Sequence, residues 1–438
     1  MTYTGGLISP VLWIKREWEL SRNPFPATGV ARFGGIEARE SGLLYEPDVH
    51  AEQLRQVVEK FVLGMSYSGL KFGYLWSEGV VNGDSDARGF GKSVLMQHMA
   101  TRINADFGKE VYLSAGLDEV DAAEVPICCL LTGFDTVQVR TLAAAFFAAV
   151  ENAIKVRAAD GMTLAGRIRE RIAHATGISD AKKLADVVSA GHRSLLGRTL
   201  GPPDEKLIAT LCESDSTAAE EYVTGITPTT RSRSGAVQMA TFLLFAAAAG
   251  MKHVLLFCDQ LEDLANSGTA KAKRELEVER FRDLIVETMP MADMITMVVT
   301  MHPRAAITLE NPWQLADLPS FALTEQNAGS TVKLPPLRDT AQAAQLLRPY
   351  LRAATKPEVT RVWGDELYPF TEEAVSCLFN RSLRKPRDVL RKAHDVLDAM
   401  AGRNLKRIDA QDVIDFFDVT DPVPTGLGRP VGVDWTRE

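Results

Sequence analysis

Asp86-Ala87-Arg88-Gly89-Phe90-Gly91-Lys92-Ser93 is the stretch on which the fold turns. It follows the pattern of a glycine, four residues and then Gly-Lys-Ser/Thr, with Asp86 in place of the first glycine and Gly89 supplying extra room. Small residues let successive backbone N–H groups curl around phosphate oxygens. The Lys92 ammonium reaches β- and γ-phosphates, and the Ser93 hydroxyl can ligate Mg²⁺. Arg88, Gly89, Phe90, Gly91, Lys92, Ser93 and Val94 are the expected phosphate cradle. Asp86 places a carboxylate at the loop entrance, which repels phosphate unless it turns outward or pairs with Arg88. Leu95, Met99 and Ile103 recur every fourth residue after the loop, so a helix follows, with Gly108 as its stop. Its positive N-terminal end adds to the anion site.

A second motif lies far downstream. Val254-Leu255-Leu256-Phe257-Cys258 is an apolar run of strand length that ends in Asp259. Such a run suits a central parallel strand buried on both faces. Asp259, Glu262 and Asp263 then fall at the C-terminal end of that strand, where open α/β sheets bind ligands. A carboxylate there can hold Mg²⁺ through its water shell, and a second can orient or activate water.

A phosphate loop followed by an apolar strand ending in aspartate resembles the P-loop NTPases. Asp259-Gln260-Leu261-Glu262-Asp263-Leu264 is similar to the Asp-Gln-Phe-Glu-Glu-Leu of some signal-transduction (STAND) ATPases. Many AAA+ proteins carry Asp-Glu at the first two positions. The resemblance therefore implies that Glu262 activates the attacking water or that Gln260 positions it. Asp293–Thr300 is a second strand-like run, and Thr300, with His302 close by, resembles an AAA+ γ-phosphate sensor. Arg384-Lys385-Pro386-Arg387 opens a helical stretch from Asp388 to Met400. It resembles the lid-helix start of origin-recognition-like AAA+ ATPases, which implies that Arg387 senses nucleotide. In ring-forming relatives a neighbouring subunit donates an arginine; Arg280, Arg282 and Arg304 are all open to that role. The resemblance covers roughly residues 45 to 418.

Composition bounds the remainder. The chain has 438 residues, 46% of them hydrophobic and 24% charged, which fits a globular protein of two or more domains. A net charge of −8 supplies no global attraction to nucleic acid, so any DNA contact must come from a local patch, a ring interior or a partner. Cys128, Cys129, Cys212, Cys258 and Cys377 lack metal-ligand spacing and read as reduced residues of a cytoplasmic protein. No apolar run reaches the ~18 residues of a membrane span, and no signal-peptide core is present.

The fold class expected is α/β: a P-loop parallel sheet sandwiched by helices, followed by an all-α AAA+ lid domain. Residues 1–45 read as an irregular arm in which Asn23-Pro24-Phe25-Pro26 forms a turn. Residues 46–334 form the ATPase domain, with a helical insert at about 160–235 broken at Pro202-Pro203 and Pro228. Within it, Asp48 to Gly64 reads as a helix, and Phe72–Trp76 or Val80-Val81 supplies the strand before the loop. Glu110–Ser114 and Val125–Leu131 are strand candidates, Thr229–Ser234 a short basic loop, and Ala270–Met289 a helix with Leu276, Phe281 and Leu284 on its apolar side. Leu334-Pro335-Pro336-Leu337 marks the boundary to a helical lid at 335–418, and 419–438 is a mobile tail.

The resemblance implies an enzyme that binds ATP and Mg²⁺ and hydrolyses ATP. Its nucleotide state would drive assembly with itself, with protein partners of the same system, or with DNA through an oligomer or partner, and no membrane is involved. Such a stand-alone chain resembles, by analogy, bacterial ATPases of transposon target selection and of multi-gene phage-defence systems. The alternative is an ATP-bound scaffold or switch with little turnover, which Gln260 favours. A small-molecule kinase is disfavoured by the helical C-terminal region.

Overall fold

The structure, a computed structural model, describes residues 9–28, 44–63, 71–77, 88–116, 118, 124–133, 141–158, 160–213, 216–261, 271–287, 289–300, 303–318, 330–357, 359 and 366–420. The chain divides into two compact units. One is Ala31–Pro335, and the other joins Met1–Val30 to Pro336–Glu438.

The first unit is built on five strands: β1 Lys71–Ser77, β2 Ile127–Gly133, β3 His253–Asp259, β4 Ile295–Thr300 and β5 Thr331–Leu334. Their order is β2-β3-β4-β1-β5, and every neighbouring pair is parallel. Parallel strands need long crossovers, which place helices on both faces and make the strands apolar on both sides. β3 is buried at all seven positions, as its sequence requires. Side chains alternate between two cores. Tyr74, Leu130, Leu256 and Met297 face helices Leu142–Lys155 and Pro228–Ala248. Leu75, Cys129, Phe257 and Val298 face helices Ala51–Val57 and Lys92–Asp106. Phe72–Trp76 therefore supplies the strand before the loop, and Val80-Val81 lies outside the described residues.

The insert packs on the first of these cores as helices Leu164–Thr176, Ala181–Leu195, Glu205–Glu213 and Ser216–Thr224. Thr163 and Asp180 cap the first two by accepting the N–H groups of Gly166 and Lys183 at 3.1 and 2.8 Å.

Five local expectations are corrected. Glu110–Ser114 is not a strand but part of a short helix, Lys109–Ser114. Phe107 and Gly108 both take left-handed backbone angles that turn the chain, and Asp106 accepts the N–H of Glu110 at 2.8 Å, which starts a new helical turn. Residues 229–234 are not a loop. Pro228 begins the helix Pro228–Ala248, because a proline at a first helical position loses no hydrogen bond. Leu276 is exposed while Val278 and Phe281 are buried, so the buried stripe of helix Lys271–Glu287 runs through positions three apart that exclude Leu276. The 48–64 stretch is a 3₁₀ turn at Pro47–His50, the α-helix Ala51–Val57 and a π turn at Val58–Val62. The arm is not wholly irregular, since Pro10–Arg16 is helical.

The second unit gathers helices Thr340–Ala354, Glu372–Arg381, Pro386–Gly402 and Ala410–Thr420. Asp339 and Thr371 cap the first two. The N-terminal residues are built into it. Trp13 and Trp18 donate their indole N–H groups to the carbonyls of Leu405 and Lys406 at 2.8 and 3.1 Å. Asn23 accepts the N–H of Phe25 at 3.1 Å, which forms the expected turn, and its amide donates to Asp398 at 2.8 Å. Phe25 is fully buried against Tyr350 and Phe370.

Candidate functional site

Three parallel strands end together at one edge of the sheet. Leu75 of β1 pairs with Thr300 of β4, and Cys258 of β3 pairs with Val299. The polar residue that ends each run, Ser77, Asp259 and Thr300, is buried at that edge. Burial of a polar group without a partner is costly, so each should be hydrogen-bonded, and each is.

The residues of the 88–93 loop come to this edge. Gly89 and Gly91 have φ of 88° and 92°, in the region that favours glycine. Phe90 between them is buried in the core around helix Lys92–Asp106, so it anchors the loop and offers a ligand only its backbone. Gly91 caps that helix and has no side chain to fill the N–H donors of the first turn. Arg88 is exposed at the loop, and Val94 is half-buried. Lys92 Nζ donates to Ser77 Oγ at 2.6 Å. Ser93 Oγ donates to Asp259 Oδ2 across 166 residues of sequence. Thr300 Oγ1 donates to Asp259 Oδ1. Gln260 N–H donates to both Asp259 Oδ1 and Thr300 Oγ1, each at 3.0 Å. Gln260 itself is exposed and has φ of 60°, a left-handed angle that turns the chain at the end of β3.

An aromatic group backs the loop. Tyr45 stacks on His50 with ring planes 7° apart, and its hydroxyl lies 3.1 Å from His50 Nδ1. His50 Cε1 would lie 3.1 Å from a Cβ on Gly91. His50 is buried, which holds its pKa down at about 4 and keeps the ring neutral at neutral pH.

The sequence-expected residues thus fall into four groups. Gly89, Phe90, Gly91, Lys92, Ser93, Asp259, Gln260 and Thr300 come together within one constellation. Arg387 sits in the helical unit, in the first turn of helix Pro386–Gly402, where its Nε donates to the carbonyl of Thr28 at 3.3 Å. Arg280 and Arg282 are exposed on helix Lys271–Glu287, and Arg282 pairs with Asp283 at 3.3 Å. Asp86, Glu262, Asp263, His302 and the side chain of Arg304 lie outside the described residues. Two contributors were missed. Ser77 carries the same signal as Asp259, a polar residue closing an apolar run. His50 shows no local signal, since only the fold brings it against Gly91.

The five cysteines are free, and Cys128, Cys129, Cys212 and Cys258 are buried. Among the described residues, no group of three or more His, Cys, Asp and Glu is placed to hold a metal by itself. Among them also, no helix is long and apolar enough to cross a membrane.

No protein-family model matches the chain, and no curated protein matches it. In structure it is similar to the Aeropyrum pernix ORC2 protein, solved as ADPNP-ADP complexes, at 9% identity and a TM-score of 0.39. The likeness covers 85% of this chain and 67% of that one.

Proposed function

We propose that the chain is an ATPase of AAA+ type that binds ATP with Mg²⁺ at the C-terminal edge of its sheet. One observation carries the reading: Ser93, at the start of the loop helix, donates to Asp259 at the end of β3. Two motifs read independently are joined by a hydrogen bond at the sheet edge where α/β folds place ligands. The residues present fit the group. Glycines in left-handed conformations, an open helix N-terminus and a lysine suit a polyphosphate. A serine hydroxyl beside a carboxylate suits a hard cation that keeps its water.

Lys92 would neutralise charge on the β- and γ-phosphates, and the first-turn N–H groups would hold their oxygens. Ser93 would ligate Mg²⁺ through a lone pair of its hydroxyl oxygen while its O–H goes on donating to Asp259. Ser93 and Asp259 would hold Mg²⁺, which when bound would supply positive charge to offset the charge developing on the phosphate. Glu262 is the proposed base for the attacking water, with Gln260 as the alternative that positions water without taking its proton. Arg387 would report the γ-phosphate to the helical unit. An arginine from a second copy, Arg280, Arg282 or Arg304, would complete the site in an oligomer. Partner proteins of the same system, DNA bound through an oligomer or partner, a setting in defence or mobile elements, and a cytoplasmic location belong to the same proposal.

The test is ATP turnover and solution mass of the full chain, with and without double-stranded DNA, for wild type, Lys92→Ala and Glu262→Gln. Turnover lost in both variants supports the reading. Turnover that survives Lys92→Ala sinks it.

The second reading is a nucleotide-bound switch. Gln260 favours it, because a neutral amide stands next to Asp259 where a base would speed hydrolysis. Retained nucleotide, negligible turnover and an assembly defect confined to Lys92→Ala would select it.

A further inference from the structure

We propose that Thr300 is a positioning residue that fixes the carboxylate of Asp259, and not a reader of the γ-phosphate. This rests on the nucleotide-binding reading above. A threonine hydroxyl has one hydrogen to donate and two lone pairs. The hydrogen of Thr300 goes to Asp259 Oδ1. One lone pair takes the N–H of Gln260 at 3.0 Å. Thr300 is 1% exposed, and its backbone carbonyl accepts the N–H of Leu261 at 2.9 Å. The hydroxyl is enclosed between β4 and the turn that follows β3, and its single donor is committed.

A phosphate oxygen offers only acceptors. Thr300 could donate to one only by releasing Asp259, which would leave a buried carboxylate oxygen short of a donor. The division of labour on Asp259 points the same way. Oδ1 takes Thr300 and the Gln260 N–H, both from the protein frame. Oδ2 takes Ser93, the residue that would meet the metal. With one oxygen tied to β4, the carboxylate cannot rotate and always turns the same edge to the loop. Thr300 thereby acts through Asp259 on the cation.

The experiment uses the full chain as wild type, Thr300→Val and Thr300→Ser. Affinity for ADP, and for a non-hydrolysable ATP analogue, is measured by calorimetry with Mg²⁺ and with chelator. ADP has no γ-phosphate, so a γ-phosphate reader leaves ADP binding unchanged. We expect metal-free ADP to bind all three alike. Thr300→Val should lose about tenfold of the Mg²⁺-dependent gain for both nucleotides, the loss expected of one hydrogen bond to a charged group. Thr300→Ser should keep that gain. Should Thr300→Val melt below the assay temperature, Thr300→Ala carries the same comparison.

The assignment is overturned if the valine variant keeps the full Mg²⁺ gain for ADP and loses only its preference for the ATP analogue. It is equally overturned if wild-type ADP affinity is indifferent to Mg²⁺. A wild type that binds neither nucleotide overturns the nucleotide reading as well, so the two failures are told apart.

Discussion

The ammonium of Lys92 lies 2.6 Å from the hydroxyl of Ser77, which joins the start of helix Lys92–Asp106 to the last residue of β1. This contact fixes where the Lys92 side chain points. Ser77→Ala should weaken nucleotide binding about threefold to tenfold, the worth of one modest hydrogen bond, whereas Lys92→Ala should abolish it. Calorimetry on the two variants checks this. Equal affinity of Ser77→Ala and wild type would reduce the contact to a resting place.

Two glycines should respond to alanine for different reasons. At Gly91 the obstacle is the backbone, with φ of 92°. Alanine there costs about 1–2 kcal/mol and displaces the loop. We expect nucleotide affinity to fall and to stay low when His50→Ala is added, because space near His50 is the smaller part of the problem.

At Gly73 the obstacle is space. A Cβ there would overlap Cε1 of Phe61. Gly73→Ala should destabilise the protein by about 1–3 kcal/mol through overpacking. Adding Phe61→Leu should recover part of that loss. Denaturant unfolding of the single and double variants decides it, and additive losses would refute the contact.

His253 makes stability depend on pH. It is buried at the start of β3 with Nε2 2.8 Å from Thr296 Oγ1. Burial, followed by the charge of Lys71, holds its pKa at about 4, below the ordinary 6.5. The folded state therefore resists a proton that the unfolded chain accepts. The contribution is present in full above pH 6.5 and is lost as pH falls toward 4; His50 and His98 act in the same direction. His253→Gln should reduce the slope of stability against pH by up to about 1.4 kcal/mol per unit in that window. Urea titrations across the window measure the slope, and an unchanged slope would remove His253 as a cause.

The N-terminal segment should be structural. Trp18 is fully buried, and Trp18→Ala should cost about 3–5 kcal/mol in the helical unit. Hydrogen exchange should quicken in helix Pro386–Gly402, whose residues His394 and Asp398 bond Asn23. Unchanged protection there would show that the segment is ornamental.

The sheet was legible because buried parallel strands are written as apolar runs, and β3 and β4 each announce their ends with a polar residue, Asp259 and Thr300. The same rule would have picked Ser77, but the run before it competes in sequence with Val80-Val81. The 110–114 stretch misled because Val111 and Leu113 alternate like a strand. What decides it is the pair of left-handed residues at Phe107 and Gly108 and the side chain of Asp106, none of which enters a hydrophobic pattern. The bonds between Asp259 and its donors could be guessed as a neighbourhood but not as a pattern of donors. The role of Trp13 and Trp18 was hidden for a plainer reason. Their partners lie 392 and 388 residues away, beyond any local period.

That separation bears on how the protein is made. Residues 9–28 belong with 336–420, so along the sequence the sheet unit falls between the two segments of the helical one. A ribosome adds roughly 5–20 residues per second, and the intervening stretch therefore takes tens of seconds to emerge. Throughout that interval Trp13, Trp18 and Phe25 have no cognate surface to cover them. The segment that holds Trp13, Trp18 and Phe25 leaves the ribosome long before the helices that cover it, so its docking waits on theirs.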